Sequence, residues 1–307
     1  MSAAVSVVIP NYNHAPYLSQ RIESVLAQTC QDFEIILLDD CSTDDSRTVL
    51  ERFRGHSKVA HVVFNEANSG STFKQWERGI ALAQGDYIWI AESDDWCEPT
   101  LLETLLDGIR SDPGCVLSYC QTYFIGDAGR INWQSRHDSL SELVDGQAFI
   151  RDYLTSVSIY NASMALWKSD RFPLIDKAFT QYRFCGDWMF WIALARLGKV
   201  HISGRLLNYF RQHDNNVSGR VYRSGLSFVE ELQVINWMFD EKLVGDREYR
   251  AMFKKKYREF WPVRHHLDPA LRIQIDELFR QPRSTSVNLS VIKAGALWHE
   301  IRRGKHA

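Results

Sequence analysis

The first 125 residues alternate short β-branched runs with helical patterns, and this rhythm limits the folds open to the chain. Residues 5–10, 34–38 and 87–91 are almost entirely apolar, as expected of strands buried on both faces. Helical spacing follows each of the first two runs, and the helix over 73–83 is expected to end at Gly85 in a left-handed conformation. The pattern predicts an α/β fold with a mainly parallel central sheet flanked by helices.

Composition excludes several classes of protein. The 36 Lys and Arg residues balance 38 Asp and Glu, so the chain lacks the net positive charge that draws proteins to nucleic acid. Six cysteines without a C-x-x-C pair argue against disulfides and structural zinc. No apolar run reaches about 18 residues and the start lacks a signal-peptide layout, so we expect a cytoplasmic protein.

The end of the chain has a different character. Residues 250–307 hold 13 Lys and Arg against 5 Asp and Glu, whereas residues 1–249 hold 23 against 33. We predict one domain over 1–218, with a ligand-binding half over 1–125 and a substrate-side half over 126–218, and a basic helical extension over 219–307. Basic and aromatic residues near 250–261 are compatible with a helix on an anionic membrane surface, and equally with a solvated helical face.

Polar residues follow three of the predicted strands. In open α/β sheets ligands bind beyond the carboxyl ends of the strands, so these residues should converge on one site. Glu92 and Asp94 would face the same way in an extended chain, and their hard oxygens suit Mg²⁺ or Mn²⁺. An acidic turn before the next helix is the alternative. The other strand-end residues are Pro10, Asn11, Tyr12, Asn13, Asp39 and Asp40.

Further candidates lie outside the strand ends. Asp187 opens a strongly apolar helix, where a partly desolvated carboxylate can be tuned as a proton acceptor, although a helix cap is the simpler reading. His213 could add a metal or phosphate contact. Lys74 could face a phosphate from the helix after Gly70, or lie on a solvated face.

Several long segments resemble the family-2 glycosyltransferases, which share the GT-A fold and transfer a sugar from a nucleotide diphosphate. The resemblance runs from Val5 to about Ser218. It depends on VSVVIPNYNHAPYLSQRIESVLAQTCQDFEIILLDDCSTDDS, on NSG at 68–70 followed by GIALAQGDYIWIAESDD, and on GDWMFWIALARLG followed by NYFRQHDNNVS.

The likeness implies roles for these residues. Asp187 would be the general base of an inverting transfer, and Asp94 would bind Mn²⁺ or Mg²⁺ with help from Glu92 and His213. The nucleotide would be held by Pro10, Asn11, Tyr12, Asn13, Asp39, Asp40, Lys74 and Ser93. Asp95, Trp188 and Arg211 are expected on the acceptor or phosphate side.

The resemblance also implies the substrates. The donor would be a UDP-, GDP- or dTDP-linked sugar, and the acceptor a saccharide or lipid-linked saccharide in bacterial surface polysaccharide or glycan assembly. Peripheral contact with the inner face of the cell membrane would suit such an acceptor.

Three positions depart from the family pattern. Glu92 replaces the first Asp of the D-x-D motif, and Gly186 replaces the Glu that usually precedes the base. The phosphate-binding Arg after the N-x-G element is out of register, so Lys74 is its substitute.

Other functions remain open. A degenerate nucleotide-sugar-binding module is the main alternative, because Gly186 could mark lost activity. A sugar nucleotidyltransferase usually has a Gly-rich basic loop after the first strand, where this chain has Asn11-Tyr12-Asn13-His14. A dinucleotide oxidoreductase is disfavoured because no G-x-G-x-x-G follows that strand.

Overall fold

The computed structural model describes residues 3–126, 129–212 and 224–304. The chain forms two compact units. The first comprises Met1–Phe149 and Val157–His213, and the second comprises Ile150–Ser156 and Asp214–Ala307. The short segment Ile150–Ser156 therefore belongs to the second unit, although the residues on either side of it belong to the first.

A ten-stranded sheet forms the centre of the first unit, in the order β3-β2-β1-β4-β9-β6-β10-β5, with β7 paired to β6 and β8 to β10. The strands are β1 (Val5–Asn11), β2 (Phe33–Asp39), β3 (Val59–Phe64), β4 (Tyr87–Ile90), β5 (Trp96–Cys97), β6 (Cys115–Ile125), β7 (Ile131–Gln134), β8 (Ser141–Val144), β9 (Ala165–Lys168) and β10 (Lys199–Arg211). Strands β3, β2, β1 and β4 are parallel, whereas β9 is antiparallel to both β4 and β6. The predicted α/β fold is confirmed, with the parallel order concentrated in one half of the sheet.

Helices connect the strands where helical spacing predicts them. They are α1 (Ala15–Leu26), α2 (Ser46–Phe53), α3 (Thr72–Leu82), α4 (Leu101–Arg110), α5 (Gly146–Phe149) and α6 (Gly186–Ala195). In α1, Leu18, Ile22 and Val25 are fully buried. Burying an aliphatic side chain of this size contributes about 1.5–3 kcal/mol, so this stripe fixes α1 against the sheet.

The region predicted to be polar and turn-rich contains β7 and β8. All four residues of β7 are exposed, so the strand has no alternating apolar pattern by which to recognise it. Strand β8 is held by antiparallel pairing to β10 and by His201, whose ring nitrogens bond the hydroxyls of Ser118 and Ser141 at 2.8 and 2.9 Å.

Gly85 does not adopt the left-handed conformation predicted for it, since the positive-φ glycines in the described residues are Gly70, Gly129 and Gly225. A Cβ atom at Gly85 would lie 2.7 Å from the backbone nitrogen of Ser6. The chain needs glycine here because two backbone segments approach closely.

The second unit is helical, as predicted for the end of the chain. Its helices are α7 (Leu226–Asp240), α8 (Asp246–Val263), α9 (Pro269–Arg280) and α10 (Leu289–Gly304). The aromatic rings of Phe253, Tyr257 and Phe260 are buried and pack around Phe279. Within the described ranges, no helix is long and apolar enough to cross a membrane.

Candidate active site

The carboxyl ends of five strands meet at one edge of the sheet. Strands β1, β2 and β4 are parallel, and β6 runs the same way as β4 because β9 is antiparallel to both. Strand β10 is parallel to β6. This edge carries the polar residues predicted to converge, together with Glu92–Asp95, which we call the acid segment.

Asp39 and Asp40 are both buried and both hold loops in place. Asp39 accepts hydrogen bonds from Asn11 Nδ2 at 2.8 Å and from the Ser42 hydroxyl at 2.6 Å. Asp40 Oδ1 accepts from the side chains of Asn65 and Gln75, and its Oδ2 accepts from a serine hydroxyl. The Oδ2 atom of Asp39 accepts the Ser42 N–H and that of Asp40 accepts the Ser69 hydroxyl, and each oxygen can accept a further N–H or O–H from a ligand.

The loop after β1 presents an exposed aromatic ring. Tyr12 is 45% exposed, whereas Asn11 is buried. Asn13 adopts φ +57°, a left-handed conformation that asparagine tolerates, and its Oδ1 accepts the Thr43 N–H at 2.7 Å. Lys74 is exposed at the start of α3 and contacts only the carbonyl oxygen of Ser69, at 3.4 Å, among the hydrogen bonds of the described residues.

The acid segment turns, so it is not extended as the sequence argument assumed. The Asp95 N–H donates to the Glu92 carbonyl oxygen at 3.2 Å, closing a turn through Ser93 and Asp94. The reason is the order of the strands: the chain must turn as it leaves β4, because β5 is the last strand in the sheet order and is not a neighbour of β4. Ser93 is buried, with its hydroxyl 2.8 Å from His14 Nδ1.

The acid segment concentrates negative charge in a buried place. Burial raises the pKa of Glu92 to about 8, with further contributions from the nearby Asp94 and Asp95 carboxylates. The indole of Trp76 donates to Glu92 Oε1 at 2.9 Å, which favours the charged form but does not offset burial. Burial and Asp94 also raise the pKa of Asp95.

Glu92 and Asp94 suit a divalent cation. Both side chains supply oxygen ligands. The two carboxylates are buried close together, so their negative charges are costly unless a cation compensates them. Among residues 3–126, 129–212 and 224–304, no group of three or more His, Cys, Asp or Glu forms a metal site, and His213 lies outside the described residues. Mg²⁺ commonly uses only one or two carboxylates, with substrate phosphates and water completing its shell.

Asp95 and Arg211 both engage protein groups. Asp95 is 1% exposed and accepts hydrogen bonds from Asn161, from the Ser163 hydroxyl and from the backbone N–H of Arg211. It thereby joins the ends of β9 and β10 to the acid segment. The guanidinium of Arg211 donates to the Asp94 carbonyl oxygen at 2.9 Å. Both residues therefore stabilise the local backbone, and their place on the acceptor or phosphate side stays a prediction.

Asp187 lies in the first turn of α6, whose N-cap is Cys185. The prediction that Asp187 is the helix cap is therefore wrong, because the N-cap lies two residues earlier. The partly buried carboxylate of Asp187 accepts the Trp188 N–H at 2.7 Å. The positive end of the helix dipole favours an ionised carboxylate at this position. Trp188 is also partly buried, and its indole nitrogen has no hydrogen-bond partner among the residues that the structure describes.

A chain of contacts joins Asp187 to the acid segment. A Cβ at the preceding Gly186 would lie 2.4 Å from the Phe73 ring, and that ring lies 5.1 Å from Trp76. Trp76 in turn donates to Glu92. The glutamate that the family resemblance places at 186 has no room here, since the Phe179 carbonyl oxygen would lie 2.5 Å from the same Cβ.

Sequence reasoning missed two residues of this site. Trp76 reads as an ordinary core residue of α3. Arg21 carried a usable signal, because it occupies the apolar stripe of α1 with Leu18, Ile22 and Val25 and is itself fully buried. A cation at such a position indicates a buried partner of opposite charge.

We predict that Glu92→Gln reduces the pH dependence of stability. Folded Glu92 keeps its proton to about pH 8, whereas the unfolded carboxyl releases it near 4.5. The folded state therefore binds more protons between these values, and the free energy of unfolding falls as pH rises through them. In EDTA at pH 9, the variant should be about 1–2 kcal/mol more stable than the wild type.

Urea unfolding at pH 4 and pH 9 measures this difference. Asp95 adds a slope of the same sign to both proteins, and because its carboxylate interacts with Glu92, the difference between the two proteins includes the change in the Asp95 contribution. Glu103→Gln, at an exposed position on α4, is the control. Parallel stability curves for wild type and Glu92→Gln would show that Glu92 does not titrate in this way.

Comparison with known proteins connects this geometry to a family. The profile of Glycosyl transferase family 2 matches residues 6–172. Glycosyltransferase GlyG of Streptococcus pneumoniae serotype 4 (strain ATCC BAA-334 / TIGR4) is 33% identical over 55% of this chain and 52% of its own length. The putative teichuronic acid biosynthesis glycosyltransferase TuaG of Bacillus subtilis (strain 168) is 35% identical over 38% of this chain and 45% of its own. The chain thus spans about half the length of these curated relatives.

A solved structure shares the fold. The crystal structure of S. aureus TarS 1-349 in complex with UDP-GlcNAc has a TM-score of 0.66, with 18% identity, and the match covers 89% of this chain and 79% of that one. The family profile covers more than half of the 307 residues. On this evidence, the chain belongs to glycosyl transferase family 2.

Proposed function

We propose that the chain moves a sugar from a nucleotide diphosphate to an acceptor hydroxyl, with inversion, in bacterial surface polysaccharide or glycan assembly. The observation that carries this is the contact chain from Gly186, the neighbour of Asp187, through Phe73 and Trp76 to Glu92, which connects the start of α6 to the acid segment. The names of two relatives support the setting: TuaG, and a poly(ribitol-phosphate) beta-glucosyltransferase of Bacillus spizizenii (strain ATCC 23059 / NRRL B-14472 / W23), which is 35% identical over 30% of this chain.

The donor nucleotide would lie against the ends of β1 and β2. The Oδ2 atoms of Asp39 and Asp40 can accept from a base N–H or a ribose hydroxyl, and the exposed Tyr12 ring can stack on a base. The TarS structure contains UDP-GlcNAc, which makes UDP-sugars the first donors to test before GDP- and dTDP-linked ones.

Asp187 would take the proton from the acceptor hydroxyl. Its place in the first turn of α6 favours the ionised form that a base requires, and its bond to the Trp188 N–H orients the carboxylate. Glu92 and Asp94 would hold Mn²⁺ or Mg²⁺, and such an ion neutralises charge on a diphosphate leaving group. The indole N–H of Trp188 is buried and has no hydrogen-bond partner among the described residues, and a place for Trp188 on the acceptor or phosphate side stays a prediction.

Replacing Asp187 with Asn should lower transfer by about 10²–10⁴-fold, because general-base catalysis typically contributes that much. The Asn keeps the shape of the side chain, so nucleotide affinity should change little. Turnover is measured as released nucleoside diphosphate, with binding followed by calorimetry. The control is Asp170→Asn, at a side chain 66% exposed.

The same assay separates the rival functions. Release of nucleoside diphosphate by the wild type supports a transferase, whereas pyrophosphate release indicates a nucleotidyltransferase. Binding without either product indicates the degenerate module that Gly186 suggests. Full activity in Asp187→Asn would show that Asp187 is not the general base.

Metal dependence can be tested at Asp94. In wild type, Mn²⁺ should tighten UDP binding relative to EDTA, because an ion held by Glu92 and Asp94 would neutralise charge on the diphosphate. Asp94→Ala should lose that gain and bind UDP equally in Mn²⁺ and EDTA. Calorimetric titration measures both states, with Asp107→Ala on the exposed face of α4 as the control. An unchanged Mn²⁺ effect in Asp94→Ala would exclude Asp94 as a ligand.

Peripheral membrane contact through α8 would depend mainly on charge. The rings of Phe253, Tyr257 and Phe260 are buried, and Lys256 is paired with Glu231 and Glu259, so none of them is available to lipid. Five exposed cations lie on α8: Arg247, Arg250, Lys254, Lys255 and Arg258.

We predict that the wild type co-sediments at low salt with phosphatidylglycerol vesicles but not with phosphatidylcholine vesicles. Replacing the five exposed cations of α8 with Gln should weaken binding by about 1 kcal/mol per charge. If wild type stays in the supernatant with both vesicles, the membrane proposal is wrong.

A further inference from the structure

Arg21 is a fully buried cation beneath the acid segment. Its Nε donates to the Glu92 carbonyl oxygen at 2.9 Å, and its Nη2 lies 3.9 Å from Asp95 Oδ2. Burying a charge is costly unless a partner of opposite sign compensates it, and the guanidinium cannot escape by losing its proton. The acid segment is that partner, so Arg21 and the acid segment depend on each other.

Arg211 holds the same segment from the end of β10. Its Nε donates to the Asp94 carbonyl oxygen at 2.9 Å, and its Nη2 donates to Gln20 Oε1 at 2.8 Å. The guanidinium also lies 4.5 Å from the ring centroids of Tyr17 and Trp96. All four of these contacts are to protein groups.

Helix α1 is common to both arginines. Arg21 belongs to it, and Gln20 and Tyr17, which hold Arg211, lie within one turn of Arg21. The two carbonyl groups that the arginines bind, those of Glu92 and Asp94, belong to the turn that the acid segment makes. The backbone of the turn is thus tied to one helix at two points.

We propose that Arg21 and Arg211 form a two-arginine clamp, anchored on α1, that positions the acid segment. The clamp fixes the turn before any ligand binds, so the Glu92 and Asp94 side chains need not be ordered during binding. Its effect on catalysis rests on the proposed function, but its effect on the backbone does not. Both arginines are positioning residues, since they act through the acid segment.

Hydrogen exchange tests the clamp without reference to activity. In Arg21→Met and Arg211→Met, amides in a peptide covering residues 88–98 should exchange at least about tenfold faster, because the turn can open locally. Peptides from β2 should be unchanged. Arg21→Lys should lie between wild type and Arg21→Met, since an ammonium keeps the charge but lacks the planar fork.

Two controls separate positioning from general stability. Arg205→Met removes an exposed arginine of β10 that bonds Thr104 and does not touch the acid segment. Leu105→Ala removes a buried side chain of α4 and destabilises the unit. The clamp is wrong if both Met variants leave exchange at 88–98 unchanged, or raise it uniformly as Leu105→Ala does. If Arg21→Met does not fold, Arg211→Met alone tests the clamp, because Arg211 is only partly buried and its replacement is less disruptive.

Kinetics then connect the clamp to function. With a donor that the wild type uses, Arg21→Lys and Arg211→Met should lower kcat/KM for the donor about tenfold or more, while the acceptor KM stays the same. Absence of turnover in the wild type would reject the proposed function and leave the exchange experiment to decide the clamp. Unchanged kinetics together with faster exchange would restrict the clamp to an effect on the backbone.

Discussion

The path of the chain from β4 to β5 governs the rest of the site. These strands are at different places in the sheet, and the five residues between them, 91–95, include three carboxylates. A segment so charged is stable there only because the protein supplies donors from every side: an indole from α3, guanidinium groups from α1 and β10, and polar side chains before β9. The fold brings these donors together.

Much of this architecture could be predicted from periodicity. Buried parallel strands are apolar at nearly every position, so β1, β2 and β4 were recognisable, and their carboxyl ends located Asp39, Asp40 and the acid segment. The strands that could not be predicted are those without a periodic signal. Strand β7 is exposed at all four positions, and the two residues of β5 are too few to show any pattern.

The conformation of the acid segment was unpredictable for a different reason. Alternation along a strand says where side chains point only while the strand continues, and this segment begins where β4 ends. Its turn is set by partners far away in sequence, Arg21 at a separation of 71 residues from Glu92 and Arg211 at 117 from Asp94. Those contacts follow from the sheet order, which local sequence does not reveal.

The packing at Gly186 has an evolutionary consequence. The Phe73 ring occupies the space into which a side chain at 186 would extend, so the two positions share one volume. Enlarging residue 186 alone forces a steric overlap, and shrinking residue 73 alone leaves a hole beside Trp76. A paired exchange does not remove the penalty, because the Phe179 backbone carbonyl oxygen would still lie 2.5 Å from a Cβ at 186. The glycine is therefore expected to persist among related chains even where residue 73 changes.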